Sequence, residues 1–509
     1  MTVQTNNEID IRLGMLNTLL TTPHRDLAKV YPIHQDMISQ DPLFYSRLSA
    51  WYHATGEVRD HKEMFIVNLC LSNFDGHRDI GLAMLRELPP YQLSRVIDFI
   101  HGSKKTKTVK TITGRGRNKE EEISKEVQKF GLNRNISRSI KTEITRYIRE
   151  READIEWFDS TALIARKYLK RLYALLHIEP SDRAQQILFD ETPPEGSKIA
   201  AVKALRKAST PAEQAKVIID NKVPYRVAST VVSAMTPTVL LALITVMSDQ
   251  ELLNNLGSLK KRGAFKNVDL KEVIQERLEK AKKGKNVAAM KSSVAKKAVK
   301  LDDDTQSLVD QVADTQIKSK GKIKCPTALI IDKSGSMRTA IEIGKQLGSM
   351  ISAISENELY VYACDTLAYP IQATDDSLVA WEKAFNGIRD SGATSCGIGI
   401  EMLRRNKQRV EQIIMVTDEG ENSSPPFLTT LQNYMTEMDV VPNIVFVKCG
   451  RSCDKLEKKC SNANISFDTY EFDGDYYSLP GLIPFLTKAS KLDLLMDIMQ
   501  FPLPQRKVL

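Results

Sequence analysis

Two folds in series are predicted: an all-α array of helical repeats over residues 1–320, then a doubly wound α/β domain over 321–509. Three observations predict them. A chain of 509 residues is longer than one hydrophobic core usually serves. From about Ile9 to Lys300 apolar residues recur at three-to-four spacing, the period of a helix face. From Lys322 onward short β-branched runs alternate with helical patterns.

The composition is that of an ordinary water-facing protein, with 42% apolar and 27% charged residues. No apolar run approaches the ~20 residues of a membrane span. The opening stretch MTVQTNNEIDIRLG lacks a basic segment followed by an apolar core, so no signal peptide is expected. Seven Cys, spread thinly, do not make a disulfide framework, and a cytoplasmic, reducing location is expected.

In the first half, Phe44, Leu48, Trp51 and Tyr52 share one helical face. So do Leu163, Ile164, Tyr168, Leu172 and Leu175, and again Val239, Leu240, Leu243, Ile244 and Met247. Leu88-Pro89-Pro90, Glu191-Thr192-Pro193-Pro194 and Met235-Thr236-Pro237 break the runs. Helix pairs stacked over ~300 residues without strands give an α-solenoid of HEAT-like character, a form with large curved surfaces.

Charge is uneven. Residues 1–320 hold 52 Lys+Arg against 40 Asp+Glu, and the remainder hold 20 against 24. A basic first half suits a polyanionic partner. Lys104, Lys105, Lys107, Lys110, Arg115, Arg117 and Lys119 lie in a Gly/Thr-rich segment read as irregular, and Arg134, Arg138, Lys141, Arg146 and Arg149 follow. These twelve are the candidate phosphate contacts. A second basic stretch runs from Lys260-Lys261-Arg262 through Lys297 and stops at Asp302-Asp303-Asp304; residues 281–320 read as a long helix or basic linker.

In the second half, Thr327–Asp332, Leu359–Cys364, Gln412–Thr417 and Asn443–Lys448 read as strands. Helical patterns fall near 338–354, 376–387, 396–407 and 425–437. Such a sheet binds ligands at the carboxyl ends of its strands, where Asp332 and Asp418 both fall.

Ile330-Ile331-Asp332-Lys333-Ser334-Gly335-Ser336 is an apolar strand running into D-x-S-x-S. Three short oxygen side chains at alternate positions suit a small hard divalent cation such as Mg²⁺. Asp390-Ser391-Gly392-Ala393-Thr394 then offers a loop hydroxyl, and Met415-Val416-Thr417-Asp418 a strand-end carboxylate. There is neither a general base beside Asp332 nor a Gly-rich phosphate loop, so no enzyme activity is expected.

These three pieces, in this order, resemble the metal-ion-dependent adhesion site of von Willebrand factor A domains. The resemblance implies that Asp332, Ser334, Ser336, Thr394 and Asp418 form the ion-binding set. Ser334 and Ser336 would ligate directly, and Thr394 and the aspartates directly or through water. One coordination position would be left for a partner's carboxylate.

A basic helical half followed by such a domain resembles the Ro autoantigen family, whose helical part is the TROVE module. Arg47-Leu48, Gly56-Glu57-Val58-Arg59-Asp60, Gly114-Arg115-Gly116-Arg117 and Leu253-Asn254-Asn255-Leu256-Gly257 look similar to stretches of that family, with Asn254 where an arginine is usual. The resemblance implies a ring of HEAT-like repeats closed by the A domain. It also implies a non-enzymatic role in RNA quality control. Small structured Y-like RNA would bind outside, and single-stranded ends of misfolded RNA would enter the hole. Neither DNA nor membrane is an expected partner, and a nuclease or another protein would dock through the ion. The alternative is a protein-interaction scaffold whose A domain grips an acidic protein ligand through the metal.

Smaller signals carry less. Cys449, Cys453 and Cys460 lack a nearby His and read as free thiols rather than a zinc site. Trp51, Trp157 and Trp381 read as core residues. Asp473-Gly474-Asp475-Tyr476-Tyr477 reads as a surface turn.

Overall fold

A computed structural model describes residues 8, 11–16, 18–19, 27–56, 58–113, 120–190, 192–283, 301–339, 341–449, 452–472, 482–487 and 491–506. The change from helices to alternating strands falls near residue 320. Compactness divides the chain differently. A helical unit comprises His24–Val246 with Ile498–Leu509, and an α/β unit comprises Met247–Asp497 with Met1–Pro23.

The helical unit begins with α1 (Leu27–Gln40), α2 (Pro42–Thr55), α3 (Arg59–Leu71), α4 (His77–Leu85) and α5 (Pro90–His101). The Asp41 carboxylate caps α2 by accepting from Phe44 N at 2.8 Å, and Pro42 starts the helix where a missing N–H costs nothing. Phe44, Leu48, Trp51 and Tyr52 are all buried, as their spacing predicts.

A β-hairpin follows, against the expectation of helices alone: β1 (Ser103–Thr113) pairs antiparallel with β2 (Glu120–Phe130). Thr106, Thr108, Val109, Thr111 and Ile112 supply the β-branched residues that favour a pleated backbone, so residues 104–113 of the segment read as irregular lie in a strand.

Then come α6 (Arg138–Ala153), α7 (Ile155–Leu176), α8 (Asp182–Leu188), α9 (Lys198–Lys207), α10 (Pro211–Asn221), α11 (Tyr225–Val231) and α12 (Pro237–Val246). In α7 the buried stripe is Phe158, Ala162, Ala165, Leu169, Leu172, Tyr173 and Leu176. Ile164, placed on the buried face by its spacing, is 48% exposed. The helix departs from helical geometry at Ala165 (φ −125°, ψ 18°), so a single 3.6-residue phase does not run through it.

Residues 501–506 return to this unit. Arg47 Nη1 donates to Phe501 O at 2.8 Å. Arg506 reaches Glu143 at 2.8 Å and Asp79 at 3.1 Å. Glu143 is fully buried and also meets Arg86 at 3.2 Å and, more distantly, Arg146 at 4.0 Å, so its charge is compensated by three guanidinium groups.

In the α/β unit, α13 (Asp249–Lys261), α14 (Val268–Lys283) and α15 (Asp303–Lys318) precede the sheet. The Asp302-Asp303-Asp304 run that ends the basic stretch caps α15: Asp302 accepts from Thr305 N, and two acidic residues fill the first turn. Lys285, Lys291, Lys296 and Lys297 lie outside the described residues.

The sheet contains β3 (Thr327–Asp332), β4 (Leu359–Cys364), β5 (Ala368–Pro370), β6 (Gln412–Thr417), β7 (Asn443–Cys449) and β8 (Phe467–Phe472). Its order is β5-β4-β3-β6-β7-β8, parallel except for the antiparallel edge strand β5. Helices α16 (Ile341–Ala353), α17 (Leu378–Phe385), α18 (Ile398–Arg405), α19 (Phe427–Met438) and α20 (Lys455–Asn462) alternate with the strands, and α21 (Lys491–Gln500) comes last. All six positions of β3 and of β6 are buried, as central strands covered on both faces require. Ala328, Ile330, Ile413 and Met415 pack with Ile400, Leu403, Phe427 and Leu431 into one core. Gly399 lets α18 lie close on the sheet, since a Cβ there would stand 2.9 Å from the Ile330 side chain.

The order of strands reverses between β3 and β6. β4 follows β3 on one side and β6 lies on the other, so loops at their carboxyl ends diverge and leave a crevice.

Candidate metal centre and basic surface

The crevice holds the motif residues. Ile331 is registered against Val416, which places Asp332 beside Thr417 with Asp418 one residue beyond. Both carboxylates are nearly buried, at 5% and 6% exposure. Asp332 is fixed through both oxygens: Oδ1 accepts from Ser334 N at 2.8 Å and Oδ2 from Thr417 Oγ1 at 2.8 Å. Each oxygen keeps a further lone pair. The Ser334 and Ser336 hydroxyls lie 3.0 Å apart. Asp418 Oδ1 accepts from Gly420 N at 2.9 Å, and a Cβ on Gly420 would lie within 3.5 Å of both Asp418 Oδ1 and Ser336 Oγ.

Thr394 is 3% exposed and, with Asp332, Thr417, Cys364 and Cys396, lines a cavity of about 10 Å³. Its backbone is held from the β6 side. Thr394 N donates to Asn422 Oδ1 at 2.9 Å, and Thr394 O accepts from Asn422 N and Ser423 N at 3.0 and 2.9 Å. The turn into this loop passes through Gly392 at φ +80°, where a side chain would be strained.

Burial pushes the Asp332 carboxyl up, hydrogen bonds from Ser334 and Thr417 pull it down, and the neighbouring Asp418 pushes it up again. Two adjacent, poorly solvated carboxylates with two facing hydroxyls fit a hard divalent cation, which would relieve their repulsion. Among the described residues no group of three or more His, Cys, Asp and Glu side chains could hold a metal, so the case rests on the hydroxyls. Asp332, Ser334, Ser336, Thr394 and Asp418 would hold the ion, and its chemistry there would be capture of an anionic oxygen.

Glu419, next to Asp418, has φ 61°, rare for a residue with a side chain. Its Oε2 accepts from Leu456 N at 3.0 Å, and Lys448 stands 3.9 Å away. Burial pushes this carboxyl up to about 7. Cys453 N donates to Asp418 O at 3.0 Å, so the Asp418 turn is anchored to the start of α20. Thr417, Asn422 and Glu419 support the site, but the motif alone assigned them no part. Cys449 and Cys460 are buried and Cys453 half-buried, all as free thiols.

The basic candidates divide. Lys104, Lys105, Lys107 and Lys110 fall on β1, where Lys107 is registered opposite Glu126 and Lys110 opposite Ile123. Arg115, Arg117 and Lys119 lie outside the described residues, as does 473–477. Arg134, Arg138 and Lys141 are exposed around the N-terminus of α6, which Ser137 caps. Arg146 is within 4.0 Å of Glu143. Arg149 is bound to Glu152 and to Glu179 O, both at 2.6 Å. Exposed Arg206, Lys207, Lys216 and Lys222 on and beside α9 and α10 escaped sequence reading, because helical spacing disperses them instead of forming a run.

The fold is that of a helical-repeat protein joined to an A-type α/β domain, with the motif residues gathered at one crevice of its sheet. Over its whole length the chain has the fold of the Ro (RSR) protein of Deinococcus radiodurans. That solved structure matches with a TM-score of 0.60 and 13% identity, over 96% of this chain and 99% of that one. A von Willebrand factor type A structure from Catenulispora acidiphila matches with a TM-score of 0.24 and 16% identity, over 35% of this chain and 42% of that one. BatB of Bacteroides thetaiotaomicron matches with a TM-score of 0.26 and 11% identity, over 34% and 99%. No family profile and no curated protein matches the sequence. No described helix is long and apolar enough to cross a membrane.

Proposed function

We propose that the chain is a non-enzymatic, Ro-type RNA-binding protein of the cytoplasm, and that its A-type domain holds a divalent cation, Mg²⁺ by preference. The observation that carries this reading is the Ro fold running through both halves of the chain. The exposed Arg134, Arg138 and Lys141 at the start of a 16-residue helix support it. A helix N-terminus and three exposed cations make a ready phosphate site. RNA backbone charge, not base sequence, would be read there, so small structured RNA and single-stranded ends of misfolded RNA are the expected ligands. The ion would serve a separate purpose, taking a carboxylate from a nuclease or other protein partner. Seven free thiols suit a reducing compartment.

The test is a salt titration of RNA binding with the triple variant Arg134→Glu, Arg138→Glu, Lys141→Glu. Affinity is expected to fall tenfold to hundredfold. The dependence of log K on log salt should become shallower by about 0.7 for each single-strand phosphate that is no longer neutralised. Unchanged affinity and slope would overturn the placement. Purified protein with no nuclease-sensitive 260 nm absorbance, and no affinity for RNA, would favour the scaffold reading instead.

A further inference from the structure

Lys333 lies between two ion-facing residues of the D-x-S-x-S loop, yet it is only 9% exposed. A lysine on a binding loop ordinarily stays in water, so its burial calls for a cause. Its Nζ donates to Asp365 Oδ2 at 2.5 Å and to Ser391 Oγ at 2.8 Å, and stands 4.8 Å from the centre of the Tyr369 ring. Asp365 is itself fixed, accepting at Oδ1 from Leu367 N at 2.8 Å. The backbone repeats the pattern. Lys333 N donates to Cys364 O at 2.8 Å, Ser391 N to Lys333 O at 2.8 Å, Gly335 N to Gly392 O at 3.1 Å and Ser395 N to Asp365 O at 2.9 Å. One ammonium thus joins three loops: the one carrying Asp332, Ser334 and Ser336, the one after β4, and the one that leads to Thr394.

We propose that Lys333, with Asp365 and Ser391, is the positioning group that sets the Thr394 loop against the D-x-S-x-S loop at the spacing a small octahedral ion requires, and so selects Mg²⁺ over Ca²⁺. The proposal rests on the metal reading above. Mg²⁺ demands near-ideal octahedral geometry at ~2.0–2.1 Å, whereas Ca²⁺ accepts looser sets at ~2.3–2.6 Å. A loop freed by a few tenths of an ångström would therefore penalise Mg²⁺ first. Groups that orient metal ligands without touching the ion commonly change affinity tenfold to hundredfold when removed. Asp365 balances the charge of Lys333, so the pair adds no net charge beside the ion, and its main contribution is geometric.

The experiment is calorimetric titration of the full chain with Mg²⁺ and with Ca²⁺. The double variant Lys333→Met, Asp365→Asn replaces an ion pair by a neutral pair and keeps net charge constant. Ser391→Ala removes one hydrogen bond and is the milder test if the double variant unfolds. The double variant should lose tenfold or more in Mg²⁺ affinity and less than threefold in Ca²⁺ affinity, with Ser391→Ala intermediate. Equal losses for both ions, or none, would overturn the positioning role. A wild-type chain that binds neither ion would overturn the metal reading and this inference with it.

Discussion

The α/β unit gathers its chemistry into a few side chains on adjacent loops, whereas the helical unit spreads its charge over exposed faces. Asp332 and Asp418 meet because β3 and β6 are neighbours across the reversal of strand order. Any chain folded this way brings those two strand ends together. Nothing comparable forces Arg134, Arg138 and Lys141 toward a common point; they share only one end of α6. The difference matches the two proposed ligands. A small ion needs ligands at fixed distances, and a flexible polyanion needs only charge at phosphate spacing.

The largest expected effect breaks the compact site. Asp332→Ala removes one of two carboxylates and the acceptor of Thr417 Oγ1, and should abolish divalent-ion binding, a loss above hundredfold by calorimetry. Next comes the triple charge reversal around the start of α6, with its tenfold to hundredfold loss of RNA affinity and no change in ion binding. If it also weakened the ion, the two regions would not be independent.

Arg506→Ala probes what holds the helical unit itself. It leaves Glu143 buried with Arg86 at 3.2 Å and Arg146 at 4.0 Å, and should cost about 1–3 kcal/mol. That is roughly 2–4 °C in Tm per kcal/mol for a unit of this size. A melting curve identical to wild type would show that the returning segment is not part of this unit's stability.

The helical unit should also show a pH-dependent stability. Glu63 is fully buried with Oε2 accepting no hydrogen bond, and burial pushes its carboxyl up to about 8 despite Arg95 at 3.1 Å. The folded state then keeps a proton that the unfolded chain releases above its ordinary pKa of about 4.3. Stability should fall as pH rises from about 4.3 to about 8, and this contribution is flat above that. Glu63→Gln should flatten the slope and raise Tm at pH 8. An unchanged slope would assign the dependence to other groups.

Legibility in the sequence follows the same contrast. The four strands are present with ends shifted by no more than one residue, because β3 and β6 are buried throughout and β4 and β7 over most of their length, so their apolar runs are long. The three loops that meet at the candidate ion site were legible because each is a short contiguous motif. Lys333, Asp365 and Ser391 were not, since their connection exists only after three distant segments meet. β1 and β2 were missed because Lys recurs through β1 and Glu and Lys through β2, which drew the reading toward charge. Alternating Thr106 and Thr108, then Val109, Thr111 and Thr113, carried the strand signal. Edge strand β5 has only three residues, too few for periodicity to show. In α7 the two stripes on either side of Ala165 gave Ile164 a place in the core that it does not have.

The central claim is that ion and RNA occupy separate regions of the chain. It is tested most directly by the RNA dissociation constant of Asp332→Ala, measured beside wild type with and without EDTA at fixed ionic strength. The account predicts values within twofold of one another while calorimetry shows the variant unable to bind Mg²⁺. A folded variant that loses RNA and ion together would contradict it.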